Sequence, residues 1–279
     1  MPAKTILVSV VHAIREPWTT IFRTGSETTW LNSNIPDEFH LVHFHGLPLK
    51  TFGSLWDRIH ERLRWKNRWC AAPLAWLDTL IGYPLLLFIP KIRPSNKLHS
   101  SFPAFEVWFP DTYQFLRWKD LAMLKYFLEQ TSCDYIYMTT NNSYLNFDNL
   151  KRLANDLPLG KFYGGAKAYD GAEFAAGNSR LISRDVAQLI VKNRKVFSLG
   201  LIEDSAMGKL VKSLNIDFVP LPSLIVDSPE SLVQISESEL KRHFHFRVKS
   251  GALNSRNDVQ IMTSLHKRLV DLGVARCQK

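Results

Sequence analysis

Cysteine is scarce in this sequence, and its few cysteines are far apart. The 279-residue chain contains three of them, Cys70, Cys133 and Cys277, and no two form a CxxC pair. A chain of this length can bury a full apolar core and needs no covalent staple to fold. The spacing argues against both a disulfide framework and a structural zinc site, and it is typical of a reducing compartment.

Several well-known catalytic and nucleotide-binding motifs are absent as well. Neither GxGxxG nor GxxxxGK[ST] occurs, which counts against dinucleotide-binding and P-loop chemistry. The sequence also has no GxSxG, no HExxH and no cluster of Cys and His ligands. Hydrolases built on those motifs are therefore unsupported.

Long apolar runs are missing too. The longest stretch, residues 71–90, is interrupted by Asp78, Gly82 and Pro84, whereas a spanning helix needs about 20 mainly apolar residues. The short apolar run at residues 5–11 is not followed by a cleavable small-residue site. We therefore expect neither a transmembrane span nor a signal peptide, and a cytoplasmic location.

Positive charge is abundant, with a net charge of +9 and a sequence pI near 9.5. Such a balance implies an anionic partner, which can be nucleic acid, acidic lipid or a phosphorylated substrate. Residues 58–68 carry six basic residues against one acid, beside Trp56, Trp65 and Trp69. We interpret residues 53–92 as a helical insertion that either lies on an anionic membrane surface or covers the sheet. The sequence contains no recognised nucleic-acid-binding module, so we expect no nucleic-acid partner.

Strand-like and helix-like segments alternate along the chain. The predicted strands are residues 6–11, 38–45, 106–109, 135–138, 162–166 and 216–219, and the predicted helices are residues 20–31, 113–130, 147–157, 183–193, 203–214 and 258–272. Asn146 or Asp148 is the expected N-cap of the helix at 147–157, and Ser183 that of the helix at 183–193. This alternation favours one α/β domain over residues 1–279, with a mixed, mostly parallel sheet flanked by helices.

A polar run follows the predicted strand at residues 135–138. In open α/β sheets, ligands bind at the carboxyl ends of the strands, and this strand delivers Thr140, Asn141 and Asn142 to that edge. Taken alone, such a run is more consistent with a turn after a strand than with a binding site.

Four short blocks carry a family resemblance. Residues 111–119 (DTYQFLRWK) are similar to D-x-Y-x-N-L-T-x-K, and residues 134–150 (DYIYMTTNNSYLNFDNL) to Y-x-x-K-x-D-D-D-x-F-x-N-x-x-x-L. Residues 176–185 (AGNSRLISRD) are similar to S-G-x-G-Y-x-L-S-x-D, and residues 202–208 (IEDSAMG) to E-D-V-x-x-G. In this order and spacing, the blocks resemble the inverting β-1,3-glycosyltransferases of the fringe and galactosyltransferase type, of family 31.

The resemblance implies a Rossmann-like GT-A fold and transfer of a sugar, with inversion, from a nucleotide-sugar donor, with a UDP-sugar favoured. The acceptor would be a glycan or a lipid-linked glycan, and a lipid-linked acceptor would place the protein peripherally at the inner face of a bacterial membrane. The alternative is a catalytically inactive protein of the same fold that binds a glycan or a nucleotide.

The sequence departs from the family at the acidic triplet, which in the family holds a divalent metal on the diphosphate. Thr140, Asn141 and Asn142 occupy these positions, and neutral side chains weaken the binding of Mn²⁺ or Mg²⁺ or abolish it. The diphosphate must still be neutralised. Together with Asp111, the expected donor-binding residues are therefore Thr140, Asn141, Asn142, Lys119, Arg247 and Lys249.

The matched blocks also suggest catalytic and acceptor-binding residues. Inverting transfer needs a base for the acceptor hydroxyl; the resemblance assigns this role to Asp204, supported by Glu203, and places Gly177 and Asn178 at the acceptor. The pair Glu203–Asp204 can equally be the acidic first turn of a helix.

A histidine near the carboxyl terminus supplies a metal ligand in the family. His243 or His245 would be that ligand if a metal binds. The alternation of residues 243–249 predicts a strand with both histidines on one face, and structural histidines are the competing interpretation.

Overall fold

The computed structural model describes residues 3–48, 86–111, 115–198, 201–251 and 256–275. Most of the predicted insertion at 53–92 lies outside the described residues, as do Cys70 and Cys277. The strands are β1 Ile6–His12, β2 Phe39–Leu47, β3 Ile92–Pro94, β4 Ala104–Pro110, β5 Tyr135–Thr140, β6 Ser143–Leu145, β7 Tyr163–Lys167, β8 Ala175–Ser183, β9 Phe218–Pro220, β10 Ser223–Val226 and β11 His245–Val248. The longer helices are α1 Leu116–Gln130, α2 Phe147–Asp156, α3 Arg184–Lys192, α4 Glu203–Ser213, α5 Pro229–Gln234, α6 Glu237–Arg242 and α7 Asp258–Asp271.

Eight strands form the main sheet, in the order β3-β4-β2-β1-β5-β8-β7-β9. β4, β2, β1 and β5 are parallel neighbours, while β3 and β8 pair antiparallel to them. All seven residues of β1 are buried, as expected for a central strand covered on both faces. The predicted α/β fold, with a mixed, mostly parallel sheet flanked by helices, is confirmed.

Apolar side chains form a core on each face of this sheet. One core joins β1 and β5 to helices α2 and α7 and contains Trp30, Phe147 and Leu265. The other packs α1, α3 and α4 on the opposite face and contains Phe127 and Ile190. None of the described helices is long and apolar enough to cross a membrane.

A second sheet of three strands, in the order β10-β11-β6, lies beyond the end of β5. β6 pairs antiparallel with β11, so that Arg247 stands opposite Ser143. The Val248 amide donates to the Asn142 carbonyl at 2.9 Å. This pairing brings the basic end of β11 to the polar run that follows β5.

The segment predicted as one helix at residues 20–31 is irregular. It contains an α-helical turn, Trp18–Thr20, a π-helical turn, Ile21–Ser26, and a 3₁₀ turn, Trp30–Asn32. Threonine hydroxyls donate to backbone carbonyls one turn earlier, as in Thr24 to Thr20 and Thr29 to Gly25. Such side-chain bonds compete with regular helix geometry.

β8 and β11 also differ from the prediction. Residues 175–183 form the nine-residue strand β8, although polar residues in this segment hide the strand pattern. β11 begins only at His245, because His243 is the C-cap of α6. The prediction of one strand carrying both histidines on one face is therefore wrong.

Candidate active site

A cavity of about 290 Å³ opens at the edge of the main sheet where the parallel strands end. Its walls come from the loops after β1, β4 and β5 and from β8, α1, α4 and β11. The predicted site residues that line it are Asp111, Lys119, Thr140, Asn141, Asn142, Gly177, Asn178, Glu203, Asp204 and Arg247. The fold therefore brings all four sequence blocks to one cleft, and their individual roles stay predictions.

The polar run after β5 lines the cleft. It is held by hydrogen bonds within the run and to the segment that follows β1. The Thr140 hydroxyl donates to Asn142 Oδ1 at 2.6 Å, and Asn141 Nδ2 donates to the Trp18 carbonyl at 2.9 Å. The Ser26 hydroxyl donates to the Asn141 carbonyl at 2.8 Å. These contacts fix the backbone of the run and occupy part of its polar capacity.

Glu203 and Asp204 also line the cleft, in the first turn of α4. Burial raises the pKa of Glu203 to about 7, and the neighbouring Asp204 carboxylate adds to this rise. Asp204 Oδ1 accepts from the Ser205 amide at 2.7 Å. Glu203 thus carries a proton for a large fraction of the time near neutral pH.

Gly177 leaves the space that Glu203 occupies. A Cβ atom at this position would clash with Glu203 Oε1 in the position that this carboxyl oxygen now occupies. A larger residue here would therefore displace the Glu203 carboxyl, which gives the match of this position to the glycine of the family block a structural reason.

A buried ion pair, which the sequence did not reveal, lies beneath these carboxylates. Arg180 Nη1 donates to Asp120 Oδ2 at 2.7 Å, and each side chain is 2% exposed. Arg180 Nη2 also donates to the Gly177 carbonyl at 3.2 Å. Both residues line the cavity. The pair joins α1 to β8 and positions Gly177 against Glu203.

Lys119 forms an ion pair with a carboxylate within the cleft. Its Nζ lies 2.5 Å from Asp111 Oδ1, and both side chains are buried. The other oxygen of Asp111 accepts from the Ile14 amide at 3.2 Å. Because Asp111 compensates its charge, Lys119 is a weaker anion ligand than the sequence suggests.

Asn178 has unused hydrogen-bonding capacity. Its side chain is buried at the cleft, and neither its Oδ1 nor its Nδ2 has a hydrogen-bond partner among the described residues. A buried amide without partners is costly, so a hydroxyl-bearing ligand that reaches it would gain from the contact. This property agrees with the predicted acceptor-binding role.

His12, at the end of β1, also lines the cavity and was not predicted. His12 Nε2 lies 2.8 Å from His43 Nδ1, so one ring donates to the other. Burial first, then the neighbouring His43, lowers the pKa of His12 well below its ordinary value. The only feature of the sequence that could have indicated a role for His12 is its position as a polar residue at the end of a strand.

Three predicted residues lie apart from the cavity walls that the structure describes. Lys249 is exposed on the segment after β11. His243 Nδ1 contacts the Glu239 carbonyl at 2.7 Å. His245 contacts the hydroxyls of Ser223 and Ser143. Both histidines are buried and have structural partners, so the geometry favours the structural interpretation over metal ligation.

The side chains at the polar run fit a divalent metal poorly. Thr140, Asn141 and Asn142 bring no negative charge, and the Asn142 side-chain oxygen already accepts a hydrogen bond. Mn²⁺ and Mg²⁺ prefer carboxylates. No group of three or more His, Cys, Asp or Glu residues in the described ranges has the geometry to hold a metal ion.

No protein-family model matches the chain, and no curated protein matches it. Among solved structures, it is similar to a glycosyltransferase involved in the glycosylation of the major capsid of PBCV-1, at 8% identity and a TM-score of 0.44 over 93% of this chain and 99% of that chain. It is also similar to the galactosyltransferase LgtC in complex with donor and acceptor sugar analogs, at 11% identity and a TM-score of 0.46 over 95% of each chain. At this level of similarity, function must be argued from the cleft.

Proposed function

We propose that the protein is a GT-A-type glycosyltransferase that moves a sugar from a nucleotide-sugar donor to a hydroxyl of a glycan or lipid-linked glycan. The observation that carries this proposal is the convergence of four sequence blocks on one cleft at the carboxyl ends of the parallel strands. These blocks are far apart in sequence, so their meeting is independent of the resemblance of each one. A UDP-sugar is the favoured donor.

The proposed reaction is a direct displacement with inversion. A carboxylate accepts the proton of the acceptor hydroxyl, whose oxygen forms the new bond to the anomeric carbon. The bond from that carbon to the diphosphate oxygen breaks, and the nucleoside diphosphate leaves from the opposite face. We assign the proton acceptor to Asp204. Glu203 stands beside it, and Asn178 offers an unpaired amide to the acceptor sugar.

The diphosphate of the donor would be neutralised by side chains. Arg247 and Arg15 both line the cavity, and a guanidinium donates two parallel hydrogen bonds to a phosphate. Because the polar run is uncharged, side chains rather than a metal ion neutralise the diphosphate in the proposed reaction. Turnover is therefore expected to persist in EDTA, and strict dependence on Mn²⁺ or Mg²⁺ would contradict this part of the proposal.

The test of the proposal separates binding from chemistry. The protein is first screened by calorimetry with UDP, GDP and CMP sugars, and hydrolysis or transfer is then followed with the donor that binds. Asp204→Asn is expected to keep the Kd for the nucleotide within about threefold and to lower kcat by a factor of 10² or more, as for loss of a general base. Asp156→Asn is the matched control, because Asp156 is exposed at the end of α2.

Two outcomes would count against this assignment. An unchanged kcat in Asp204→Asn would remove the residue from its role, and an equal loss in Asp156→Asn would point to a general effect of the substitution. Failure of every nucleotide sugar to bind would reject the proposed function.

The alternative is a protein that binds a glycan or a nucleotide without catalysis. The uncharged polar run favours it, because the expected metal ligands are replaced by Thr140, Asn141 and Asn142. Tight donor binding with no hydrolysis and no transfer to any of a panel of glycan acceptors would support this alternative over the transferase.

A further inference from the structure

Acidic and basic side chains line the cavity together. The acids are Asp111, Asp120, Glu203 and Asp204, and the bases are Arg15, Lys119, Arg180 and Arg247. Lys119 lies 2.5 Å from Asp111, and Arg180 lies 2.7 Å from Asp120. The buried cations of α1 and β8 are thus each compensated by an acid other than Glu203.

The guanidinium of Arg180 lies beside Glu203 without bonding to it. Its Nη1 donates to Asp120 Oδ2 at 2.7 Å and contacts Met207 Sδ at 3.5 Å, and its Nη2 donates to the Gly177 carbonyl at 3.2 Å. Gly177 in turn abuts Glu203 Oε1. Among the described residues Arg180 makes no hydrogen bond to Glu203, so its charge acts on that carboxyl only through space.

Asp120 and Glu203 compete for the charge of this one guanidinium. Burial, the largest cause, and then the Asp204 carboxylate raise the pKa of Glu203 to about 7. Arg180 acts in the opposite direction, and Asp120 offsets Arg180. Burial also raises the pKa of Asp120, and Arg180 opposes that rise. His12, the other titratable side chain of the cavity, is kept neutral because burial lowers its pKa. The hydrogen bond gives the guanidinium to Asp120.

We propose that Asp120, by holding Arg180, keeps Glu203 protonated beside the proposed base. Asp120 is thereby a positioning residue, and its part in catalysis rests on the proposed function. A neutral Glu203 leaves Asp204 as the only carboxylate of this helical turn that can accept the proton of the acceptor hydroxyl. It also removes one negative charge from beside the diphosphate of the donor. Neighbouring groups whose surroundings separate their affinities for a proton are how one site holds an acid next to a base.

The test follows the protonation of Glu203 directly. The full-length protein is labelled isotopically at its glutamate carboxyl carbons for NMR, and the signal of Glu203 is the one that Glu203→Gln lacks. We expect this signal to titrate at about pH 7 in the wild-type protein. Asp120→Asn releases the charge of Arg180 to Glu203 and should lower the midpoint by about one pH unit or more, whereas Arg180→Gln should raise it.

A double substitution separates this role from damage to the fold. Removal of one partner of a buried ion pair leaves a charge uncompensated, whereas replacement of both partners by neutral groups does not. In Asp120→Asn/Arg180→Gln the two effects on Glu203 should cancel, so we expect the midpoint within about half a pH unit of the wild-type value. Where a single variant does not fold, this double variant decides the question.

The matched control is Asp258→Asn. Asp258 is buried in an ion pair with Arg256, and neither residue is among those that line the cavity. The control removes the same kind of charge elsewhere and should leave the midpoint of Glu203 unchanged. Circular dichroism establishes that each variant folds.

Kinetics connect the protonation of Glu203 with the proposed reaction. For the donor, kcat/KM should decline above about pH 7, because an ionised Glu203 repels the diphosphate. In Asp120→Asn the decline should begin about one pH unit lower. The NMR titration needs no turnover, so a failure of every nucleotide sugar to react would reject the proposed function while the titration still decides what Asp120 does.

Any of five results would overturn the proposal. In the wild type it is a Glu203 signal that titrates near the ordinary value of 4.5. In the single variants it is an unchanged midpoint in Asp120→Asn, or an equal shift in Asp258→Asn. In the double variant it is a shift of more than about one pH unit. A titration that shifts while the kinetic decline stays in place would remove Asp120 from its positioning role.

Discussion

At the scale of single residues, the cleft depends on close approach and on burial of charge. The Glu203 carboxyl occupies the space that a side chain at position 177 would fill. The Arg180 guanidinium donates a hydrogen bond to the Gly177 carbonyl. The carboxyl of Glu203 is consequently enclosed, with the Asp204 carboxylate as its neighbour. Water cannot stabilise the ionised form there, so the pKa of Glu203 rises to about 7.

The raised pKa of Glu203 predicts a specific pH dependence of stability. A carboxyl that is harder to ionise in the folded state than in the unfolded state, where its pKa is near 4.5, destabilises the fold progressively as pH rises from about 4.5 to about 7. Glu203→Gln removes this cost. We expect it to raise the free energy of unfolding at pH 8 by about 1–3 kcal/mol, and to leave it within about 1 kcal/mol at pH 4.5.

Urea unfolding of the two proteins at both pH values measures this difference. Glu237→Gln is the control, because Glu237 lies in the first turn of a short surface helix and is exposed. The same gain in the control, or a gain in Glu203→Gln that does not depend on pH, would show that burial of the Glu203 charge is not its cause.

At the scale of elements, helix α2 shows how one side chain joins two parts of the fold. Asn146 caps this helix, because its Oδ1 accepts from the Asn149 amide at 3.0 Å. Its Nδ2 donates to the Val274 carbonyl at 2.7 Å, beyond the end of α7. The sequence left Asn146 and Asp148 as alternatives, and the structure selects Asn146.

This double role of Asn146 predicts a graded mutational series. Asn146→Ala removes the cap and leaves the Val274 carbonyl without this donor, so we expect a cost of about 2–3 kcal/mol in the free energy of unfolding. Asn146→Ser keeps a capping hydroxyl and should lose only about half of that. Denaturant unfolding gives both values, and Asp148→Ala should cost under about 1 kcal/mol; a cost equal to that of Asn146→Ala would contradict the assigned cap.

At the scale of the whole molecule, the fold buries histidines in its interior and keeps them neutral. Burial lowers the pKa of His43 to about 3, and burial, together with Arg247, lowers that of His245 to about 3. His12, in contact with His43, is shifted in the same direction. The three rings lie in both sheets, so their protonation would disturb the cleft and the β11 region together.

These histidines predict a loss of stability in acid. Below about pH 6.5 the unfolded chain takes up protons on its histidines that the folded chain cannot accept, so stability falls with falling pH. Each buried histidine contributes up to about 1.4 kcal/mol per pH unit, and Glu203 offsets about one of the three. We expect the free energy of unfolding to fall by about 2–3 kcal/mol from pH 6 to pH 5. Urea titrations at pH 7, 6 and 5 measure this; a change under about 1 kcal/mol would show that the histidines are not buried as described.

The sequence by itself predicted most of the elements and ten of the residues that line the cleft. The strands at β1, β2, β5 and β7 and the helices α2, α3 and α4 agree with their predicted ranges to within about two residues. Apolar periodicity is a local property, so it identifies such elements without knowledge of their partners. The rule that ligands bind where parallel strands end then selected the polar run at residues 140–142.

Only the tertiary structure decided which charges compensate one another and which strand lies beside the cleft. β8 was not predicted, because its buried Arg180 looks like a surface residue until Asp120 of α1 is placed against it. Lys119 was predicted as an anion ligand. Its ion-pair partner Asp111 follows the end of β4, and only the folded structure shows that the two side chains are in contact. Charge pairing and burial depend on contacts between segments that are distant in sequence, and the local pattern of residues carries no information about them.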